Sequence, residues 1–329
     1  MTPGAGHEVE TVALDGGLEG VTLRCPATGL AATWAPSAGM LGCALRKDAA
    51  ELLHVPGGAA AYARTGATAG IPLLAPWANR LAALSYQAAG RRVELERDAP
   101  GIRTEEHGLP IHGLLGAARG WRVLEAEGSP AAARLTATFD LAEHPELLRS
   151  FPFPHVLRYE ATLVASTVRI VVTLEAGMQG PVPVSFGFHP YLRVPGARER
   201  WSMRCRMGEH LPADGRGIPT GVREPADIAT GPVGDRTWDD GYAGPGGAPQ
   251  FRLAGDGVAL EVSLEAGYAY AQLYAPRGSP FICFEPMTAP TSALTHGGPE
   301  LPLVAPGGKF TASFAITVAA GRAVGEERE

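Results

Sequence analysis

The sequence predicts an all-β protein with very little helix, and three observations predict it. Short segments alternate apolar and polar side chains at period two, as strands with one buried face do. The 43 glycines and 29 prolines are spread along the chain instead of clustered, which suits many short strands joined by turns better than a helical bundle. Between residues 8 and 62 no helical period holds for three turns. A chain of 329 residues with 45% hydrophobic residues can bury a substantial core, and a large all-β sandwich or barrel can run to such lengths as one unit. A single domain over 1–329 is therefore expected, with poorly ordered ends near 1–8 and 320–329.

In chain order, VETVAL, VTLRCPA, LAATWAP and GCALRK read as strands of a β-meander, while ELLH at 51–54 is too short to assign. Residues 70–82, GIPLLAPWANRLA, carry two prolines and an Asn-Arg pair, so an irregular wall is expected there. Trp77 beside Asn79 and Arg80 could cover an apolar sugar face while the guanidinium offers a planar fork of donors to hydroxyls; the alternative is an Arg80 that satisfies loop carbonyls. YQAAGRRVELERD reads as a hairpin around Gly90. His107 and His112 are five apart, which fits neither a strand pair nor a helical pair of metal ligands. ARLTATFDL, RYEATLVAS and VRIVVTLEA alternate as strands, with one helical turn in HPELLRSFPFP between the first two. Residues 201–251 are Gly-, Pro- and Asp-rich and read as the least regular part, with WDDGY inside a loop where carboxylates serve as turn residues or caps. ALEVSLE, YAYAQLY, PFICFE and KFTASFAITVA close the chain as strands.

Two of these segments carry proton-transferring groups. In PVPVSFGFHPYLR, Val184, Phe186 and Phe188 fall on one strand face and Ser185, Gly187 and His189 on the other. Pro190 removes a ladder donor, so pairing should stop where the imidazole emerges. In FICFEPMT, Phe281, Cys283 and Glu285 share a face and Pro286 follows the carboxylate, as if ending a second strand.

Composition excludes several classes. A net charge of −6 without a basic cluster speaks against nucleic acid and anionic membrane as partners. Lys47 and Lys309 are the only lysines, leaving few candidates for Schiff-base chemistry. The four cysteines are widely spaced without C-x-x-C, against both a zinc knuckle and a disulfide scaffold. No run approaches 18 apolar residues and residues 1–10 carry no signal-like pattern, so a cytoplasmic protein is expected. Walker A, G-x-S-x-G and H-E-x-x-H patterns are absent, and no cofactor or metal is expected.

PLLAPWANRLA, LPIHGLLGAARGW, WDDGY, VPVSFGFHPYL, FICFEPMTAPTSAL and PGGKFTASFAITV together resemble the aldose 1-epimerase (mutarotase) family over residues 10 to 319. The resemblance implies a large antiparallel β-super-sandwich (galactose mutarotase-like) with a sugar cleft on one sheet. It implies that the chain interconverts the α- and β-anomers of a small-molecule sugar by acid–base ring opening and reclosure, without a cofactor. By residue match His189 would be the general acid and Glu285 the general base. His112 would contact the sugar near its ring oxygen, Asn79 and Arg80 would bind hydroxyls, and Gln272 in AQLY would join them. Asp239 in WDDGY would grip hydroxyls, with Asp240 as the alternative. The chain departs from the family in TLEAGMQGPVP, where an Asn that often precedes the histidine block is missing, which alters a turn. Three rival readings stand beside this one. A sugar-6-phosphate mutarotase would add a basic pocket from Arg103, Arg119 or Arg122. A glycosidase would use Asp239 and Glu285. A non-catalytic sugar-binding protein would use the same cleft. Under the first reading activity falls at low pH as Glu285 protonates and at high pH as His189 loses its proton.

Overall fold

The computed structural model describes residues 6–321, so the expected loose ends at 1–5 and 322–329 lie outside the described residues. Pairing reaches into what remains of both end regions, because the first strand starts at Glu8 and the last runs to Gly321. Strand makes up 48% and helix 9% of the protein, in multiple antiparallel sheets, as the alternation predicts.

The N-terminal meander forms as read: Glu8–Ala13, Glu19–Cys25, Leu30–Ala35, Leu41–Lys47 and a short Ala50–Glu51 pair in chain order. Leu30, Ala32 and Trp34 turn inward at period two. The Trp34 indole donates to the Tyr159 hydroxyl at 2.9 Å inside the core, tying the meander to the next sheet. The strand-only reading of this stretch needs one correction. Gly58–Thr65 is a helix, closed by Gly66 in the left-handed region at φ 63. Its Ala-rich GAAAYART favours helix, but eight residues are too few for a period to show.

Two large antiparallel sheets face each other. One has nine strands, in the order Gly231–Pro232, Ser202–Cys205, Phe251–Ala254, Gly257–Ala266, Lys309–Gly321, Thr167–Ala176, His155–Val164, Ala133–Asp140 and Arg122–Gly128. The other runs from Glu224–Pro225 through Met207–Leu211, Trp238–Pro245, Tyr270–Ala275 and Ile282–Met287. Beyond Ile282–Met287 come the two-residue strands Gly187–Phe188 and Tyr191–Leu192, with Leu73–Leu74 outside the first. Aromatic rings fill the space between the sheets. Phe188 meets Phe314 at 5.1 Å and Tyr159 at 6.0 Å, and Phe251 stacks on Phe284 at 5.2 Å. The hairpin around Gly90 is present, with Ala89 and Gly90 both at positive φ, the turn whose twist suits paired strands.

Two readings of the segments that carry acids are corrected. WDDGY is not in a loop: Trp238–Pro245 is an eight-residue strand in register with Tyr270–Ala275. Its glycines and acids lower strand propensity, and the pairing on both sides overrides that. Pro286 does not end its strand, which continues to Met287. Pro286 lies opposite Ala271 on one side and, by the register of Gly187 with Met287, opposite Phe188 on the other.

Phe314 is fully buried between the sheets and touches both Phe188 and Tyr268. Phe314→Ala should lower unfolding free energy by about 3–5 kcal/mol, the range for deleting a core aromatic. Urea unfolding followed by tryptophan fluorescence measures it.

Candidate active site

The site grows from a break in a strand. Gly187 pairs with Met287 and Tyr191 pairs with Cys283, so one register continues across the gap and sets His189 opposite Glu285. Within the gap the His189 amide donates to the Pro72 carbonyl at 3.2 Å, in step with the pairing of Gly187 and Phe188 to Leu74 and Leu73. Pairing stops where the imidazole emerges, as the sequence predicts, and resumes two residues later. Phe186 and Phe188 enter the core while Ser185, Gly187 and His189 face the other way. On its other side Glu285 pairs with Gln272, and Gln272 pairs with Gly241. His189, Glu285 and Gln272 therefore stand in a row across three strands about 4.8 Å apart, and Gly241 ends the row without a side chain.

The 70–82 wall closes one side. Ala78 donates its amide to the Ser185 carbonyl at 2.7 Å, and the His112 amide donates to the Asn79 carbonyl at 2.8 Å. Asn79 and His112 both sit at positive φ, 53 and 63, where Asn and His are among the residues best tolerated. Gly113 must be glycine: a Cβ there would lie 2.2 Å from the Ala75 carbonyl oxygen. Likewise Gly187 lets Met287 and Pro286 approach, since a Cβ would lie 2.5 Å from the Pro286 oxygen.

These elements enclose a cleft of about 160 Å³ lined by Asn79, Arg80, His112, His189, Asp239, Gln272 and Glu285, with Thr68, Ile111, Tyr191 and Tyr274. Seven of the eight residues singled out in the sequence thus meet in one place. The eighth does not. Asp240 lies on the opposite face of its strand, where its carboxylate faces His210 Nε2 at 3.3 Å. Asp239 is the acid in the cleft, accepting from the Gln272 side-chain amide at 2.7 Å. Trp77 is also not where a sugar stack needs it, being fully buried in the core. Arg80 does not satisfy loop carbonyls: it donates to the Asn79 side-chain oxygen at 3.0 Å and faces Glu105 and Asp239, each at 3.9 Å.

Four lining residues escaped the sequence reading. Tyr191 shares parity with His189 and stacks on it at 4.6 Å, so the alternation in HPYL carried that signal. Tyr274 shares parity with Gln272 in the same way. Thr68, whose hydroxyl shares a 2.7 Å hydrogen bond with the Tyr191 hydroxyl, and Ile111 reach the cleft through tertiary folding alone.

The electrostatics follow from dryness. His189 Nε2 lies 3.2 Å from a Glu285 carboxyl oxygen, and both side chains are almost wholly buried. Burial pushes the His189 imidazole down to about 3, helped by the positive Arg103 and Arg80. Burial and the neighbouring Asp239 carboxylate push Glu285 well above the ordinary carboxyl range, against a lowering pull from Arg80. His112, edge-on to His189 at 5.3 Å, is lowered well below its usual value by burial and then by the nearby His189, Arg103 and Arg80. Although 3.2 Å is ion-pair distance, desolvation favours a neutral carboxyl against a neutral imidazole. Several buried polar atoms have no hydrogen-bond partner among the described residues: Nδ1 of His189 and of His112, one Glu285 oxygen and Arg80 Nε. Such atoms are costly unless something binds them. Their chemistry suits a ligand rich in hydroxyls.

The structure is similar to several solved ones at low sequence identity. A galactose mutarotase-like protein from Clostridium acetobutylicum superposes with a TM-score of 0.83 at 14% identity, covering 96% of this chain and 99% of that one. A galactose 1-epimerase from Lactobacillus acidophilus gives 0.75 at 15%, covering 96% and 100%. An aldose epimerase homologue from C. elegans gives 0.69 at 14%, also covering 96% and 100%. At such identities the likeness establishes the galactose mutarotase-like β-sandwich fold. The model of the family described as aldose 1-epimerase matches residues 43–317, a stretch that takes in the whole of the cleft. This chain belongs to the aldose 1-epimerase family.

Proposed function

We propose that the protein is a cofactor-independent mutarotase of the cytoplasm. His189 and Glu285 would interconvert the α- and β-anomers of an aldose. The observation that carries this reading is the dry 3.2 Å contact between an imidazole and a carboxyl group in a cleft lined with unsatisfied polar atoms. Moving one proton across that contact converts carboxyl and imidazole into carboxylate and imidazolium. The carboxylate then takes the proton of the C1 hydroxyl while the imidazolium gives its proton to the ring oxygen. The C1–O5 bond breaks and the open aldehyde forms, leaving Glu285 protonated and His189 neutral, which is the resting state. Rotation about C1–C2 and reclosure run the transfers in reverse. The pair keeps one proton in total throughout. Asn79, Arg80, His112, Asp239 and Gln272 would hold hydroxyls around it. A glycosidase reading is not favoured, because the group against Glu285 is an imidazole and Asp239 is engaged by Gln272.

One observation favours a second reading of the substrate. Arg103 is partly buried, and among the described residues its guanidinium has no hydrogen-bond or acidic partner, while Arg119 and Arg122 lie exposed. Its charge acts on Tyr191 and on both cleft histidines. Under the acid–base reading His189 serves the ring oxygen, whose neighbour C5 bears the C6 substituent. Arg103 does not itself line the cleft, so an anionic group at C6 would meet its charge from within the lining.

Glu285→Gln keeps size and hydrogen bonding but not basicity, so it should lose about 10²–10⁴-fold in anomer exchange, and His189→Asn a comparable factor. The double variant should be little slower than the worse single one, because the two act as a unit. NMR exchange spectroscopy between anomers reads all three, and exchange by Glu285→Gln within a few-fold of wild type overturns the assignment.

The shifts reverse the limbs of the pH profile expected from sequence. Activity should fall at low pH as the pair gains a second proton, which His189 resists down to about 3. It should fall at high pH as the pair loses its last proton, which the raised Glu285 holds beyond the usual carboxyl range. Nitrogen-15 NMR of the imidazoles at pH 6 should find His112 and His189 neutral; an imidazolium at either site in the unliganded protein contradicts this.

Exchange measured on a neutral hexose, its uronic acid and its 6-phosphate tests the Arg103 reading. Arg103→Ala should weaken saturation by the anionic sugars by about tens-fold, the worth of a charge-assisted contact, and leave the neutral one unchanged. Equal handling of all three by wild type removes the second reading.

A further inference from the structure

We propose that Glu105 is the positioning residue for Arg80, aiming its guanidinium into the cleft from behind; this rests on the reading of Arg80 as a sugar ligand. Glu105 lies outside the cleft lining, and its side chain is only 10% exposed. One of its oxygens, Oε1, accepts from the amides of His107 and Leu109 at 2.9 and 3.0 Å, which fixes the carboxylate inside its own turn. The other, Oε2, is buried without a hydrogen-bond partner and faces Arg80 Nε, likewise buried and unpartnered, at 3.9 Å.

The turn itself is tied to the wall of the cleft. Thr104 bridges Pro110, Arg80 bridges Ile111, and the Leu81 amide donates to the Pro110 carbonyl at 2.9 Å. The carboxylate is therefore fixed relative to the Arg80 backbone. Gly217 packs against the same guanidinium: a Cβ there would stand 2.9 Å from Nη1, 3.1 Å from Cζ and 3.3 Å from Nε, so only a glycine leaves room for the group. Asn79 takes Nη1 and Asp239 stands 3.9 Å from Nη2. With Nε drawn to Glu105 from behind, the planar fork presents its outer donors to the cleft. An arginine free to rotate would lose that aim, since its worth at a hydroxyl lies in preorganised donor geometry.

Glu105→Gln separates this role from bracing of the turn. The Gln carbonyl can keep both amide bonds to His107 and Leu109, and the amide NH2 then faces Arg80 Nε–H, donor against donor. The experiment is a cycle of wild type, Glu105→Gln, Arg80→Ala and the double variant. It is read by anomer exchange and, separately, by binding of a 1,5-anhydro sugar that has no anomeric hydroxyl. Glu105→Gln should raise the half-saturating sugar concentration about 3–30-fold, as expected for coupled neighbours, with turnover at saturation within about two-fold of wild type. In the Arg80→Ala background it should add nothing.

Full additivity with Arg80→Ala, an equal loss in turnover, an unchanged saturation curve or loss of the folded state would each overturn the proposal. If wild type binds the anhydro sugar but exchanges no anomers, the mutarotase reading fails while the binding cycle still decides the role of Glu105.

Discussion

Much of this molecule depends on one buried contact, the 3.2 Å approach of His189 to Glu285. Neither group could stay charged there alone, because removing a carboxylate or imidazolium from water is expensive without a full set of partners. Together they hold one proton, which dryness keeps on Glu285 against a neutral imidazole, and moving it to His189 creates an ion pair that only polar partners in the cleft can stabilise. The surrounding fold supplies the dryness. Ring stacking by Tyr191 covers one face of His189, and His112 and Tyr274 meet it edge-on. The same desolvation that moves both titrations would strengthen any interaction made with a bound sugar.

Strand register delivers the contact. His189 and Glu285 are 96 residues apart in sequence but opposite in a ladder whose register is fixed on both sides of the gap. A slip of one residue would turn His189 toward Phe314 and Phe188 toward the cleft, exchanging a polar for an apolar face on both sides. The core aromatics therefore hold the chemistry in place without touching it. The break at His189 leaves no orphan donor there, because its amide goes to Pro72, in register with the flanking Leu73–Leu74 strand.

Arg80 shows the complementary device, a flexible cation held by surroundings instead of by a strand. Asn79 engages it from the chain itself, Asp239 from the sheet and Glu105 from the adjoining turn, while Gly217, without a side chain, leaves room for it. The two carboxylates stand too far for hydrogen bonds, which leaves the outer donors of the fork available.

Period-two alternation in the sequence by itself determined the all-β class, four strands of the meander and the two faces of the His189 segment, because strand side chains point alternately whatever lies around them. It could not show the helix at Gly58–Thr65, which is too short for a period to emerge. Nor could it place WDDGY, where neighbouring strands on both sides outweighed weak propensity and set Asp239 in the cleft and Asp240 outside it. Trp77 looked like a sugar platform from composition and is core, since residue type does not reveal which way a residue in an irregular segment points. Thr68 and Glu105 were illegible for the same reason. The titration order of His189 and Glu285 was decided by tertiary structure alone, because desolvation is a property of everything packed around a group and of no sequence neighbour.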